Sequence, residues 1–190
     1  MGQARTKTFS IRVWNVIFLL MTGATISASY VAAGYTSPPL RLPILMLCWF
    51  LLFYFTHSPA HYFAGRLFGI RFEYYFLGTS RISRAGIPLL SRIAKKLPYV
   101  VGVRIDRSSL NSVSRKGVAI MYLSGPLASV FAPSLVPLIS QAVGVSTVES
   151  TILVFLTLGN ATVSLYLSKK HGCIAKAVKL LKMGQPALNG

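Results

Sequence analysis

Two histidines lie one helical turn apart in the stretch from His57 to His61, which reads His-Ser-Pro-Ala-His and falls near the end of an apolar run. In a helix, residues i and i+4 share a face, so both imidazoles would point the same way. Ionisable or metal-binding side chains are costly inside a membrane, and those that occur there usually mark a functional site. The pair therefore indicates a metal site, or else two histidines that hydrogen-bond to each other or to a backbone carbonyl that Pro59 leaves unpaired.

The spacing of the pair matches two zinc ligands in the His-Glu-x-x-His signature of zinc proteases. In that signature the glutamate is the general base, and Ser58 stands at its position here. A serine hydroxyl lacks the basicity that this role needs at neutral pH. The sequence thus predicts the metal ligands of such a site without its general base, and we assign no residue a catalytic role.

All three histidines of the chain are expected on the same side of the membrane. His57 lies about 22 Å along its helix from the start of the apolar run, His61 one turn farther, and His171 just beyond the last run. Two imidazoles from one helix and a third from another would form a tetrahedral zinc site with one open position. Cys173 is an alternative ligand, whereas Cys48 lies about 13 Å along the helix from His57 and is excluded.

The composition is that of a polytopic membrane protein. The chain has 190 residues, 53% of them hydrophobic and 12% charged, with a mean hydropathy of +0.59. This balance predicts one all-α membrane domain over residues 1–190, with about four transmembrane helices and a small β-rich cytoplasmic or membrane-associated segment after the second. The predicted spans are about 13–33, 42–64, 117–143 and 151–167.

The positive charge predicts the orientation of these spans. The formal net charge is +17, and all but Arg41 of the 20 Lys and Arg residues lie in the N-terminal tail, in the segment 65–116 or after Leu167. By the positive-inside rule, both termini and the 65–116 segment are cytoplasmic, most simply at the cell membrane. A disulfide between Cys48 and Cys173 is not expected, because one lies in a span and the other on the reducing side.

The basic segment 65–116 holds two predicted strands. Residues 70–77 are rich in aromatic residues and residues 99–105 in valine, and both runs are bounded by Gly, Pro or Ser. Residues 87–97 would form a basic amphipathic helix on the membrane surface, or the segment is a solvated loop held near anionic lipid.

Three motifs together resemble the site-2 protease family of intramembrane zinc metalloproteases. The stretch from His57 to Glu73, with Leu77-Gly78 after it, is similar to the family's histidine motif, its Ala-Arg-Leu-Phe-Gly-Ile-Arg-like continuation and its aromatic strand. Ser-Gly-Pro-Leu-Ala-Ser at 124–129 resembles the family's Ala-Gly-Pro-Leu-Ala-Asn. Gly159-Asn160 and Lys-His-Gly at 170–172 resemble its Asn and Asp-Gly elements. The likeness covers about residues 42–182.

The resemblance implies a ligand set and a substrate groove. It implies zinc at His57, His61 and His171, where His171 replaces the family's aspartate ligand. It also implies a groove for a membrane-protein substrate, with Gly125, Pro126, Ser129 and Asn160 as candidates. If the resemblance is set aside, the small residues in this set are expected to allow close helix packing, and Asn160 is expected to make an interhelical hydrogen bond.

Three functions are compatible with the sequence. The missing glutamate favours a proteolytically inactive relative that binds zinc and a membrane-protein client. An active intramembrane metalloprotease with altered chemistry would need another base, for example Glu73. A structural subunit would instead dock its basic cytoplasmic face on membrane lipids, an acidic partner or a larger membrane complex. We do not expect nucleic acid as a partner, because no nucleic-acid-binding motif is present and membrane topology explains most of the charge.

Overall fold

The computed structural model describes residues 7–78 and 100–182, without the side chains of Val100 and His171. A 3-10 helix at Arg107–Ser112 follows the third strand. In chain order the other elements are β1 (Thr8–Phe9), α1 (Ile11–Tyr35), α2 (Pro38–Leu67), β2 (Phe72–Gly78), β3 (Val100–Ile105), α3 (Arg115–Ala142), α4 (Thr147–His171) and α5 (Cys173–Lys182).

Helices α1 to α4 are long and apolar enough to cross a membrane. Each coincides with a predicted span, and most of their ends extend a few residues beyond it. Serines precede all four helices, and the side chains of Ser114 and Ser146 cap the first turns of α3 and α4. Large apolar side chains such as Leu19, Phe131 and Phe155 point outward and are about two-thirds exposed. Such surfaces suit a lipid environment.

Helix α2 packs against α1 and α3, and α3 in turn packs against α4 and α5. The largest buried cluster joins α2, α3 and α4 through the fully buried Leu45, Leu52, Val136 and Leu153. At the end of the bundle remote from the histidines, Arg41 makes a bidentate hydrogen bond of 2.7 and 3.1 Å with Glu149. The pair ties the first turns of α2 and α4 together.

The three strands form an antiparallel sheet in the order β1-β2-β3. Both predicted strands are confirmed, but they begin a few residues from their expected starts, and β1 was not anticipated. Tyr75 of β2 is fully buried against Phe18 of α1, and its hydroxyl donates to the side-chain oxygen of Asn15 at 2.7 Å. Burial raises the pKa of Tyr75. The helix expected at 87–97 lies outside the described residues.

Candidate metal centre

His57 and His61 lie one turn apart on the last third of α2 and turn their rings toward each other. Their Nε2 atoms are 3.3 Å apart, and the ring planes are nearly perpendicular. His61 is buried and His57 is partly exposed. The predicted pairing of the two imidazoles on one helical face is therefore present in the structure.

A third donor comes from the far end of the chain. Sγ of Cys173, the first residue of α5, lies 3.5 Å from Nε2 of His61. The donor atoms of His57, His61 and Cys173 all lie within 4.8 Å of one another. They form a His-His-Cys cluster that could hold a metal ion.

Two of the three separations within the cluster are those of tetrahedral zinc ligands, and the third, between the donors of His57 and Cys173, is no more than 4.8 Å. With zinc–nitrogen bonds of about 2.0 Å and zinc–sulfur bonds of about 2.3 Å, two nitrogens lie about 3.3 Å apart and a nitrogen and a sulfur about 3.5 Å apart. The values in the cluster are 3.3 Å for the two nitrogens and 3.5 Å for His61 and Cys173. A zinc ion bound to all three donors would need Sγ of Cys173 and a ring nitrogen of His57 to lie about 3.5 Å apart as well.

The Nδ1 atom of each histidine, which does not face the cluster, has a hydrogen-bond partner on α3. Nδ1 of His61 donates to the carbonyl oxygen of Met121 at 2.6 Å, because a carbonyl can only accept. A neutral His61 therefore presents an unprotonated Nε2 to the cluster. Nδ1 of His57 lies 2.8 Å from the hydroxyl of Ser129. Partners of this kind orient metal-ligating histidines and fix their tautomers.

Two histidines can also satisfy each other without a metal. Nε2 of His57 would then carry a proton and donate to Nε2 of His61, while the Ser129 hydroxyl donates to Nδ1 of His57. In this arrangement the thiol of Cys173 is a further hydrogen-bond donor toward Nε2 of His61 at 3.5 Å, although that nitrogen has a single lone pair to share between Cys173 and His57. The metal-bound arrangement accounts for all three donors.

Gly125 of α3 lets that helix approach the ring of His61. A Cβ atom at this position would collide with Nε2, Cε1 and Cδ2 of His61. The glycine is therefore required by the imidazole itself, as well as by helix packing.

The other residues predicted to line a substrate groove surround the cluster. Ser129 is almost fully buried, and its carbonyl oxygen accepts from Nδ2 of Asn160 at 2.9 Å. The hydroxyl of Ser164 donates to the Asn160 side-chain oxygen. Asn160 thus makes the interhelical hydrogen bond that was one of its two interpretations. Pro126 is buried within α3. A role in binding substrate stays a prediction for all four candidates.

The tight turn between α4 and α5 brings Cys173 to the cluster. The backbone amide of Gly172 donates to the carbonyl oxygen of Ser168, and the Ser168 hydroxyl accepts from the amide of Ile174. A Cβ atom on Gly172 would lie 2.7 Å from Cα of Ser168, so only glycine fits. The Gly-Cys pair at 172–173 was the available sequence signal, and the sequence indicated Cys173 only as an alternative ligand.

His171, the expected third ligand, is the last residue of α4. Its side chain lies outside the described part of the structure, so its place in the ligand set stays a prediction.

Ser58 stands at the position of the general base in the zinc-protease signature, and here it makes a structural hydrogen bond. Its hydroxyl is buried and donates to the carbonyl oxygen of Val101 in β3 at 2.5 Å. The hydrogen bond attaches the sheet to α2, one residue after His57.

The three acidic residues are engaged elsewhere. Glu149 binds Arg41, and Glu73 lies 3.9 Å from Arg104 on the half-exposed surface of the sheet. Asp106 accepts from the hydroxyl and amide of Ser108, and the hydroxyl contact lowers the pKa of Asp106. The metal cluster among the described residues contains no carboxylate.

Comparisons with models of known protein families, with curated proteins and with solved structures give no match for this chain. The likeness to site-2 proteases therefore stays a prediction from the motifs quoted above, and the geometry of the cluster has to support any function assigned to it.

Proposed function

We propose that this protein is an integral membrane protein that binds a zinc ion through His57, His61 and Cys173 and does not hydrolyse peptide bonds. The observation that carries the proposal is the convergence of three donor atoms within 4.8 Å of one another, with two of their separations, 3.3 and 3.5 Å, equal to those of tetrahedral zinc ligands. Two imidazoles and a thiolate are a donor set that zinc prefers, and they leave one tetrahedral position for water, His171 or a bound partner.

The absence of hydrolysis follows from Ser58. In the zinc-protease signature, the residue after the first histidine activates the metal-bound water. Here that residue is a buried serine whose hydroxyl is already donated to Val101. Glu73, the alternative base, is near Arg104 on the sheet, which gives the active-protease hypothesis no support.

The membrane orientation is part of the proposal. Both termini and the sheet would face the cytoplasm, at the same end of the bundle as the metal cluster, in the cell membrane. The pairing of Arg41 with Glu149 supports this orientation, because it neutralises the one cation expected on the opposite side.

The resemblance to site-2 proteases suggests what the zinc centre serves. We infer that a helix of a membrane-protein client lies near α3 and α4 without being cut, and that zinc holds the ends of α2 and α5 together beside it. The largely exposed face of α4, with Phe155, Leu158 and Tyr166, offers an apolar surface for such a helix.

Metal analysis of the purified protein tests the zinc site. We expect one zinc per chain in the wild type, as measured by elemental mass spectrometry, and less than a tenth of that in His57→Ala and Cys173→Ala. Cys48→Ala is the matched control, because Cys48 is buried in the core of α2 away from the cluster. A wild-type protein purified without chelators that takes up no zinc, even when it is supplied, would refute the proposal.

His171→Ala and a cleavage assay separate the remaining possibilities. Full zinc content in His171→Ala would make Cys173 the third ligand, and its loss would show that His171 also binds. Cleavage of a helical membrane substrate by the wild type, abolished in His57→Ala, would replace the inactive-relative proposal with the active enzyme.

A further inference from the structure

A hollow of about 480 Å³ lies between the last turns of α4 and the helix α5. It is lined by Lys169, Ala175, Val178, Lys179 and Lys182. Three lysines and two apolar residues thus line the hollow, and none of the three acidic residues of the chain is among them. The metal cluster uses none of these side chains.

Helix α5 presents this hollow on its outer face. On the inner face, Ala177 is fully buried and Leu180 packs against the cluster around Met121 of α3. On the outer face, Val178 is 39% and Leu181 44% exposed, interleaved with exposed lysines. Apolar residues flanked by lysines on one helical face are the pattern of a helix that lies at a membrane surface.

The position of the hollow along the bundle agrees with that pattern. The candidate span in α4 ends at Lys170, so Lys169 lies at the end of the apolar part of that helix. Only two residues separate Lys170 from the start of helix α5. The three lysines are therefore expected at the level of the lipid headgroups, where basic pockets between helices bind anionic lipid.

We propose that the hollow binds one anionic phospholipid. Lys169, Lys179 and Lys182 contact the phosphate of the headgroup, and the upper part of an acyl chain lies against Ala175 and Val178. A soluble phosphate would use the lysines alone, whereas a phospholipid also covers these two apolar residues. The surface lacks the stacking aromatic side chains with which proteins bind single-stranded nucleic acid.

Native mass spectrometry of delipidated full-length protein, titrated with phosphatidylglycerol or phosphatidylcholine, tests the proposal. We expect one tightly held phosphatidylglycerol and no comparable phosphatidylcholine adduct. In a triple variant with Lys169→Gln, Lys179→Gln and Lys182→Gln, the affinity should fall on the order of a hundredfold, since each lysine near a lipid surface contributes about fivefold.

The matched control removes the same charge from lysines outside the hollow, with Lys7→Gln, Lys116→Gln and Lys170→Gln. Its lipid affinity should change by less than about fivefold, and an equal loss in both triple variants would overturn a discrete site.

Inorganic phosphate should not displace the lipid, and efficient displacement would show that the hollow recognises phosphate alone. Val178→Ser, which keeps every lysine, should weaken phosphatidylglycerol binding, and unchanged affinity would contradict the proposed acyl-chain contact.

Repeating the titration after zinc removal keeps this test separate from the metal proposal. The lysines belong to a different set of residues from the metal donors, so we expect phosphatidylglycerol still to be retained in zinc-free protein. A wild-type protein that takes up no zinc but still binds phosphatidylglycerol would refute the metal centre and support the lipid site.

Discussion

Nε2 of His61 and Sγ of Cys173 lie 3.5 Å apart although 112 residues separate them along the chain. His61 belongs to α2, in the first half of the chain. Cys173 is the first residue of α5, the last described helix. Helix α3 supports the contact, because Met121 orients His61 and Gly125 gives its ring room. The contact between α2 and α5 is therefore a property of the whole bundle.

Replacing zinc with cobalt should reveal the sulfur ligand directly. The cobalt-loaded wild type should show a thiolate-to-metal charge-transfer band in its near-ultraviolet spectrum, because Cys173 would bind as a thiolate. Cys173→Ser should lose that band, and Cys48→Ser should keep it. A band that persists in Cys173→Ser would show that the sulfur is not a ligand.

Gly125→Ala should empty the metal centre. The added methyl group would occupy the space of the His61 ring, so the ring has to leave its position beside His57. Zinc content should fall to less than a tenth of the wild-type value. Gly159→Ala is the control, since a Cβ atom there meets nothing within 4 Å, and it should retain zinc with stability unchanged or about 0.5–1 kcal/mol higher. Normal zinc content in Gly125→Ala would contradict the placement of His61.

Ser58→Ala should weaken the attachment of the sheet without removing the metal. The buried carbonyl oxygen of Val101 would lose its hydrogen-bond donor, which destabilises the protein by about 1–3 kcal/mol. Faster amide hydrogen exchange in β3, with zinc content unchanged, is the expected result. Loss of zinc with no change in β3 would assign Ser58 to the metal site.

The pair Arg41 and Glu149 should stabilise the end of the bundle remote from the metal. The side chains of Arg41 and Glu149 are 17% and 11% exposed and their contact is bidentate, so a double-mutant cycle with Arg41→Gln and Glu149→Gln should give a measurable stabilising coupling energy in unfolding experiments. The half-exposed pair of Glu73 and Arg104, at 3.9 Å, should give less than about 0.5 kcal/mol. Equal coupling energies would mean that burial does not decide the strength of these pairs.

Anionic lipid should slow the loss of zinc. Cys173 begins the same helix that carries Lys179 and Lys182, so a lipid held on α5 would favour the position of the sulfur. Zinc removal by a chelator should be several-fold slower in phosphatidylglycerol nanodiscs than in phosphatidylcholine nanodiscs. The difference should disappear in the triple lysine variant of the α5 hollow. Equal rates in both lipids would show that the two sites are independent.

The sequence was sufficient to predict the four long helices and two of the strands, and insufficient for β1, α5 and the contacts between elements. Apolar runs predicted four long helices because a membrane requires continuous hydrophobic segments, and the spacing of His57 and His61 is a local property of one helix. The approach of Cys173 depends on how α5 folds back after Gly172, and the contact of Ser58 with Val101 joins residues 43 positions apart. Such contacts arise from packing and leave no periodic pattern in the sequence.

The glycine turn at Gly172 also determines when the metal centre can exist. During synthesis His57 and His61 enter the membrane long before Cys173 leaves the ribosome, and the earlier helices supply only two of the three donors. A chain interrupted before α5 would bind zinc weakly or not at all. At the proposed zinc centre, occupancy would therefore require α5 to be in place, so that zinc would be bound only by molecules in which the turn at Gly172 has formed.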